Sequence, residues 1–151
     1  MESLQVIESS FVAPKEATPT KGLWLSPVDL AATRGYTTLV FFYPSGAAFF
    51  DAARLKEAMA KALVAFYPVA GRLGVDNDGR LEISCNGEGV LFVVARSCLV
   101  AQDFDFSKPS LELRRVFVPR IEPPSLIMAI QVSTRNSSIN INLSFNYQAR
   151  T

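Results

Sequence analysis

The sequence predicts an α/β (α+β) domain built on a mixed β-sheet with packed helices, and three observations carry that expectation. Residues 51–66 have helical hydrophobic periodicity, several other stretches alternate with period two or form short apolar runs, and Gly, Pro, Asn and Asp clusters separate them. With 151 residues, 49% of them hydrophobic, the chain can bury one sizeable core, so a single domain is expected.

Taken in order, residues 3–9 read as a strand with Leu4 and Val6 on one face, followed by a Pro- and Thr-containing loop at 13–21. Ser26 is placed to cap a short helix, with Pro27 at its first position and Asp29 completing a capping box. Residues 36–43 end in Val40-Phe41-Phe42-Tyr43, which reads as a buried strand. Asp51 caps the main helix and Phe50 is positioned to staple onto Leu55. Leu55, Met59, Ala62 and Phe66 define the expected core face of that helix, Glu57 and Lys61 an i,i+4 pair, and Pro68 forces an end near Phe66. A Gly-rich connector and the turn Asp76-Asn77-Asp78-Gly79 lead into Leu81, Ile83 and Cys85, alternating with polar residues. Asn86-Gly87 then predicts a tight hairpin returning as Val90–Val94, buried on both faces.

Beyond it, 97–108 reads as a polar loop, Pro109-Ser110 as the cap of a short helix through Leu113-Arg114-Arg115, and Pro119, Pro123 and Pro124 as loop markers. Leu126–Val132 reads as a strand. The tail alternates Ile139, Ile141, Leu143, Phe145 and Tyr147 with polar residues, as an amphipathic strand does. It is either the last strand of the domain's own sheet, the preferred reading, or an edge that pairs with a partner.

The chain contains no histidine, which removes Ser-His, Cys-His and imidazole-metal arrangements together. Two cysteines without clustered acids make no zinc site, and the glycines fit neither a dinucleotide nor a P-loop pattern. Residues alone therefore supply no catalytic, metal or cofactor site. Arg72, Arg80 and Glu82 read as solvated or paired surface charges. A net charge of +1 without like-charge runs points away from nucleic acid and anionic membranes. No apolar run reaches membrane-spanning length and no charged leader is visible, so a cytoplasmic protein with Cys85 and Cys98 reduced is expected. The sequons at Asn136 and Asn142 read as chance matches.

The strings FYPVAGRL at 66–73 and DGRLEISCNGEGVLFVVA at 78–95 resemble the opening domain of the BAHD acyltransferases. LWLSPVDL at 23–30, TTLVFFY at 37–43 and FFDAARLKEAMAKAL at 49–63 extend the resemblance, closest to the hydroxycinnamoyltransferase branch. It implies the N-terminal half of a chloramphenicol acetyltransferase-like fold. It also implies transfer of an acyl group from acyl-CoA, a co-substrate rather than a tightly bound cofactor, to a hydroxyl or amine in plant secondary metabolism. The resemblance covers residues 1–132, and 133–151 form a divergent tail where members carry His-x-x-x-Asp-Gly. By the same resemblance Tyr36, Leu39 and Phe41 occupy acceptor-facing positions. Leu39 and Phe41 offer no hydrogen-bonding group, which favours a less polar acceptor or an amine.

Three readings stay open at this point. The chain is a truncated, inactive family product, or a small-molecule-binding or protein-interaction module made from the same half-domain, or a fragment of an active enzyme. The absence of the family's second domain, together with the tail as an edge strand, leads to an expectation of self-association.

Overall fold

A computed structural model describes residues 4–31, 36–43, 51–98, 105, 111–121, 125–135 and 138–146. Among the described residues eight strands form two sheets, with three short or medium helices beside them. The larger sheet comprises β1 (Leu4–Val12), β6 (Val90–Ser97), β7 (Met128–Arg135), β8 (Ser138–Asn146) and β3 (Tyr36–Tyr43), in the order β1-β6-β7-β8-β3. Only β6 and β7 run parallel, so the sheet is mixed. The smaller, antiparallel sheet is β2 (Gly22–Trp24), β5 (Leu81–Ser84) and β4 (Arg72–Val75), in the order β2-β5-β4.

Of the three predicted helix caps, the two that fall among the described residues are present. Asp51 accepts from the Arg54 N–H at 3.2 Å at the start of α2 (Ala52–Ala65), and Phe66 closes that helix. Ser26 and Asp29 make the reciprocal capping box of α1 (Pro27–Ala31): the Ser26 N–H donates to the Asp29 carboxylate at 2.9 Å, and Ser26 Oγ accepts from the Asp29 N–H at 3.3 Å. Glu57 and Lys61 pair at 2.9 Å as their spacing predicts. Phe50, Pro109 and Ser110 lie outside the described residues.

The core face of α2 differs from the predicted one. Leu63 is buried, and Ala52, Leu55, Met59 and Ala60 pack with it against Val90, Phe92, Ile130 and Val132 of the sheet. Ala62 is exposed, and Phe66 is 66% exposed at the cap. The stripe is rotated because the chain turns at once into a 3-10 turn, Tyr67–Ala70, whose Val69 and Ala70 take over the contact at that end. The opposite face of β6 and β7 buries Leu91, Val93, Ala129 and Leu126, so the Val90–Val94 run is covered on both sides as expected.

The Asn86-Gly87 hairpin is not formed. β5 and β6 belong to different sheets, and Asn86 to Gly89 carries the chain between them. Gly87 and Gly89 take positive φ angles of 68° and 100°, the Asn86 carboxamide oxygen accepts from the Glu88 N–H, and the Gly89 N–H donates to Ala70 at 2.9 Å. Side-chain and backbone hydrogen bonds to Asn86 and Gly89 thus supply what a hairpin ladder would have supplied.

The tail strand follows the own-sheet reading. β8 pairs with β7 on one side and β3 on the other, so it is interior rather than an edge, and the expected edge pairing with a partner does not apply to it. The outer strands of this sheet are β1 and β3. Accordingly β3, expected to be buried, is a border strand with exposed apolar side chains. The helix expected around 109–115 is α3, Leu111–Phe117. Among the described residues, no helix is long and apolar enough to cross a membrane.

Candidate functional site

β3 pairs residue by residue with β8 from Tyr36 opposite Asn146 to Tyr43 opposite Ile139. Directly opposed residues share a face, so the register carries Leu39 and Phe41 onto the face that holds Phe92, Ile130 and Val132 under α2. α2 covers that face over β6 and β7 and leaves it open at β3. Leu39 is 47% exposed and Phe41 43% exposed, side by side at the border. Tyr36 opens the strand three residues before Leu39 and is out of step with the pair in the two-residue period. On the reverse face the Phe42 ring meets Phe117 of α3 edge-on, centroids 5.7 Å apart, which fixes the strand against the helix.

The other groups available for chemistry are quiet. Among the described residues, no three His, Cys, Asp or Glu side chains gather to hold a metal ion. Cys85 is buried, and burial, aided by the Glu82 charge, pushes its thiol pKa up, which disfavours the thiolate a nucleophile needs. Cys98 is exposed. Asp105 is exposed and has an interaction partner.

Arg72 is not a surface charge. Only 8% exposed, it donates from Nη1 to the carbonyls of Gly71 and Gly89, both at 2.8 Å, and more distantly to Ala70. Its guanidinium lies 5.3 Å from the Phe11 ring centroid, a cation–π contact. Nε sits 3.1 Å from a Glu88 oxygen but off the N–H axis, an ion pair without a hydrogen bond. Burial lowers the Arg72 pKa and Glu88 opposes the shift. Its role is to tie β4 to the chain crossing at Gly89. Gln131, which the sequence reading placed only within a strand, is 1% exposed and donates to the Val116 carbonyl at 2.8 Å and to Ser133 Oγ at 3.0 Å, joining α3 to β7.

A family model described as the Transferase family matches residues 2–148. The chain belongs to this family, the BAHD acyltransferases. Among curated BAHD relatives, putrescine hydroxycinnamoyltransferase 2 of Oryza sativa subsp. japonica is 45% identical over 145 residues, covering 88% of this chain and 46% of its own length. Shikimate O-hydroxycinnamoyltransferase of Nicotiana tabacum is 50% identical over 121 residues, covering 79% of this chain and 28% of its own. The chain thus spans less than half the length of these relatives. Among solved structures, vinorine synthase superposes with a TM-score of 0.72 at 22% identity, over 95% of this chain and 38% of that one. An F. sporotrichioides protein complexed with coenzyme A superposes at 0.59 with 21% identity, over 87% of this chain and 37% of that one. The fold is that of the N-terminal half of a BAHD enzyme.

Proposed function

We propose that this chain forms the acceptor side of an acyl-CoA-dependent hydroxycinnamoyl- or benzoyl-type acyltransferase, acting in the cytoplasm on an amine or a weakly polar hydroxyl. The observation that carries this reading is the open apolar pair Leu39 and Phe41 at the border of the sheet, in a strand whose sequence resembles the family's acceptor-facing strand. A polyhydroxylated acid seated there would leave hydroxyls unpaired, at about 1–3 kcal/mol each, whereas an alkyl amine presents methylenes to the same surface. The chain's relatives include a putrescine hydroxycinnamoyltransferase and an anthranilate N-benzoyltransferase, both N-acylating.

In the reaction the acceptor nitrogen attacks the thioester carbonyl, the C–N bond forms, the C–S bond breaks, and coenzyme A leaves as its thiol with the proton the amine gives up. A positioned base contributes about 10²–10⁴-fold to such a step, and the 151 residues include no histidine to supply it. Alone, they release no thiol from p-coumaroyl-CoA in an acceptor-dependent way.

Fusing residues 1–132 to a family segment that carries His-x-x-x-Asp-Gly and the second domain provides the test. Turnover with putrescine should exceed turnover with shikimate, and Leu39→Ser with Phe41→Tyr should narrow that gap roughly ten-fold, the effect of one restored polar contact. A fusion that prefers shikimate, or whose preference ignores both substitutions, overturns the reading; acceptor-dependent turnover by the 151 residues alone overturns the assignment of the base elsewhere.

A further inference from the structure

A cavity of about 380 Å3 opens on the face of the large sheet opposite Leu39 and Phe41, between β1 and the segment that follows α3. Leu4, Val6, Val93, Val118 and Pro119 wall it, and buried Gln131 forms part of its floor. Both amide hydrogens of Gln131 are engaged, by Val116 and Ser133, so the floor is held still. Among the described residues the remaining lining groups are Ser9, Arg115 and Arg120; Arg120 is engaged in another interaction, and Arg115 is exposed.

Which side chains of β1 line the cavity is set by an irregularity in that strand. Val6 pairs with Ala95, but Glu8 pairs with Val94 and Ser9 with Val93, leaving Ile7 as an extra residue in the strand. Plain alternation from Leu4 and Val6 would bring Glu8 to the cavity face next. The bulge brings Ser9 there instead and turns Glu8 to the other face, where its carboxylate pairs with Lys56 of α2. Bulges re-aim side chains in this way beside binding sites. An apolar cavity of this size is within the range that holds small ligands, and with Glu8 turned away the charged side chains among its described lining residues are arginines.

We propose that this cavity binds a small monocarboxylate with an aromatic or branched aliphatic body, the body between Val6, Val93 and Val118 and the carboxylate at Arg115. The guanidinium is solvent-exposed, so the charge contributes on the order of 3- to 5-fold in affinity rather than dominating it. The site is separate from the acceptor surface and stands whether or not that assignment does.

Titrating the 15N-labelled 151-residue chain with 3-phenylpropionate, and with the neutral 3-phenylpropionamide, tests the proposal. Saturable shifts are expected at Leu4, Val6, Ser9 and Gln131, with the carboxylate binding about 3- to 5-fold more tightly than the amide and losing that advantage as salt rises. Arg115→Gln and Ser9→Glu, both at exposed positions, should abolish the preference while leaving the thermal midpoint within a few degrees. Equal binding of acid and amide, shifts centred on β3, no saturable shift with millimolar ligand, or a preference that survives both substitutions would each overturn it.

Discussion

Replacing Arg72 with Met keeps most of the side-chain volume and removes the charge from one of the most heavily committed side chains in the fold. In the native structure two carbonyls, of Gly71 and Gly89, each receive a 2.8 Å bond from Nη1, and both belong to buried residues. Orphaning a buried acceptor costs about 1–3 kcal/mol, and desolvation of the guanidinium, no longer needed, returns part of that. A net loss of about 3 kcal/mol follows, equivalent to roughly 6–12 °C in melting temperature for a chain of this size. Urea unfolding at fixed pH measures it. Glu88→Gln is the internal control: its side chain is 57% exposed, so the ion pair contributes no more than about 1 kcal/mol. Arg72→Lys should fall between, because one ammonium lacks the fork that spans both carbonyls. Unfolding of Arg72→Met within 1 kcal/mol of the parent, or a Glu88→Gln loss as large as that of Arg72→Met, would refute this role for Arg72.

Gly89→Ala should destabilise by at least about 2 kcal/mol, since its φ of 100° is unfavourable and the new Cβ would lie 2.5 Å from the Val12 carbonyl; Gly79→Ala, at φ 78° in open space, should cost about 1 kcal/mol in the same urea assay. Asp51→Ala removes the cap of α2 and should lower stability by about 1 kcal/mol, read from the same curves. Glu8, Asp29 and Glu57 all have lowered pKa values, through hydrogen bonds from Lys56, Ser26 and Lys61 respectively. Because their folded values lie below the unfolded ones, their contribution is complete above about pH 4 to 5 and is lost as pH falls through the folded values. The urea midpoint should therefore drop in that acid range, and Glu8→Gln should shrink the drop; a midpoint that stays flat to pH 3 would contradict the pairing.

What could be read from the chain alone was what neighbours in sequence decide. The caps at Ser26 and Asp51 join residues three apart, and both are present. The partition into two sheets was hidden because Asn-Gly favours a hairpin locally, while β5 is claimed on both sides by β2 and β4. β2 has only three residues, too few to show a period. Arg72 was misread because arginine is usually solvated; the carbonyl of Gly89 that holds it is seventeen residues away. Leu39 and Phe41 have core-like chemistry, and only the extent of α2 over the sheet reveals that they are left open. The acceptor-facing role proposed for them came from family resemblance, not from periodicity.

The place of β8 between β7 and β3 has a bearing on how the chain is made. From Tyr43 to Ile139 and from Tyr36 to Asn146, β3 and its partner are separated by 96 to 110 residues. A ribosome adding about 5–20 residues per second leaves YTTLVFFY without its ladder for some 5–20 s after it emerges. During that interval the nascent chain presents an uncharged, aromatic segment with free backbone donors, the kind of stretch that chaperones shield and that otherwise finds a neighbour. Yield in the cell should therefore depend less on the finished domain's stability than on how well that waiting strand is guarded until residues 138–146 arrive.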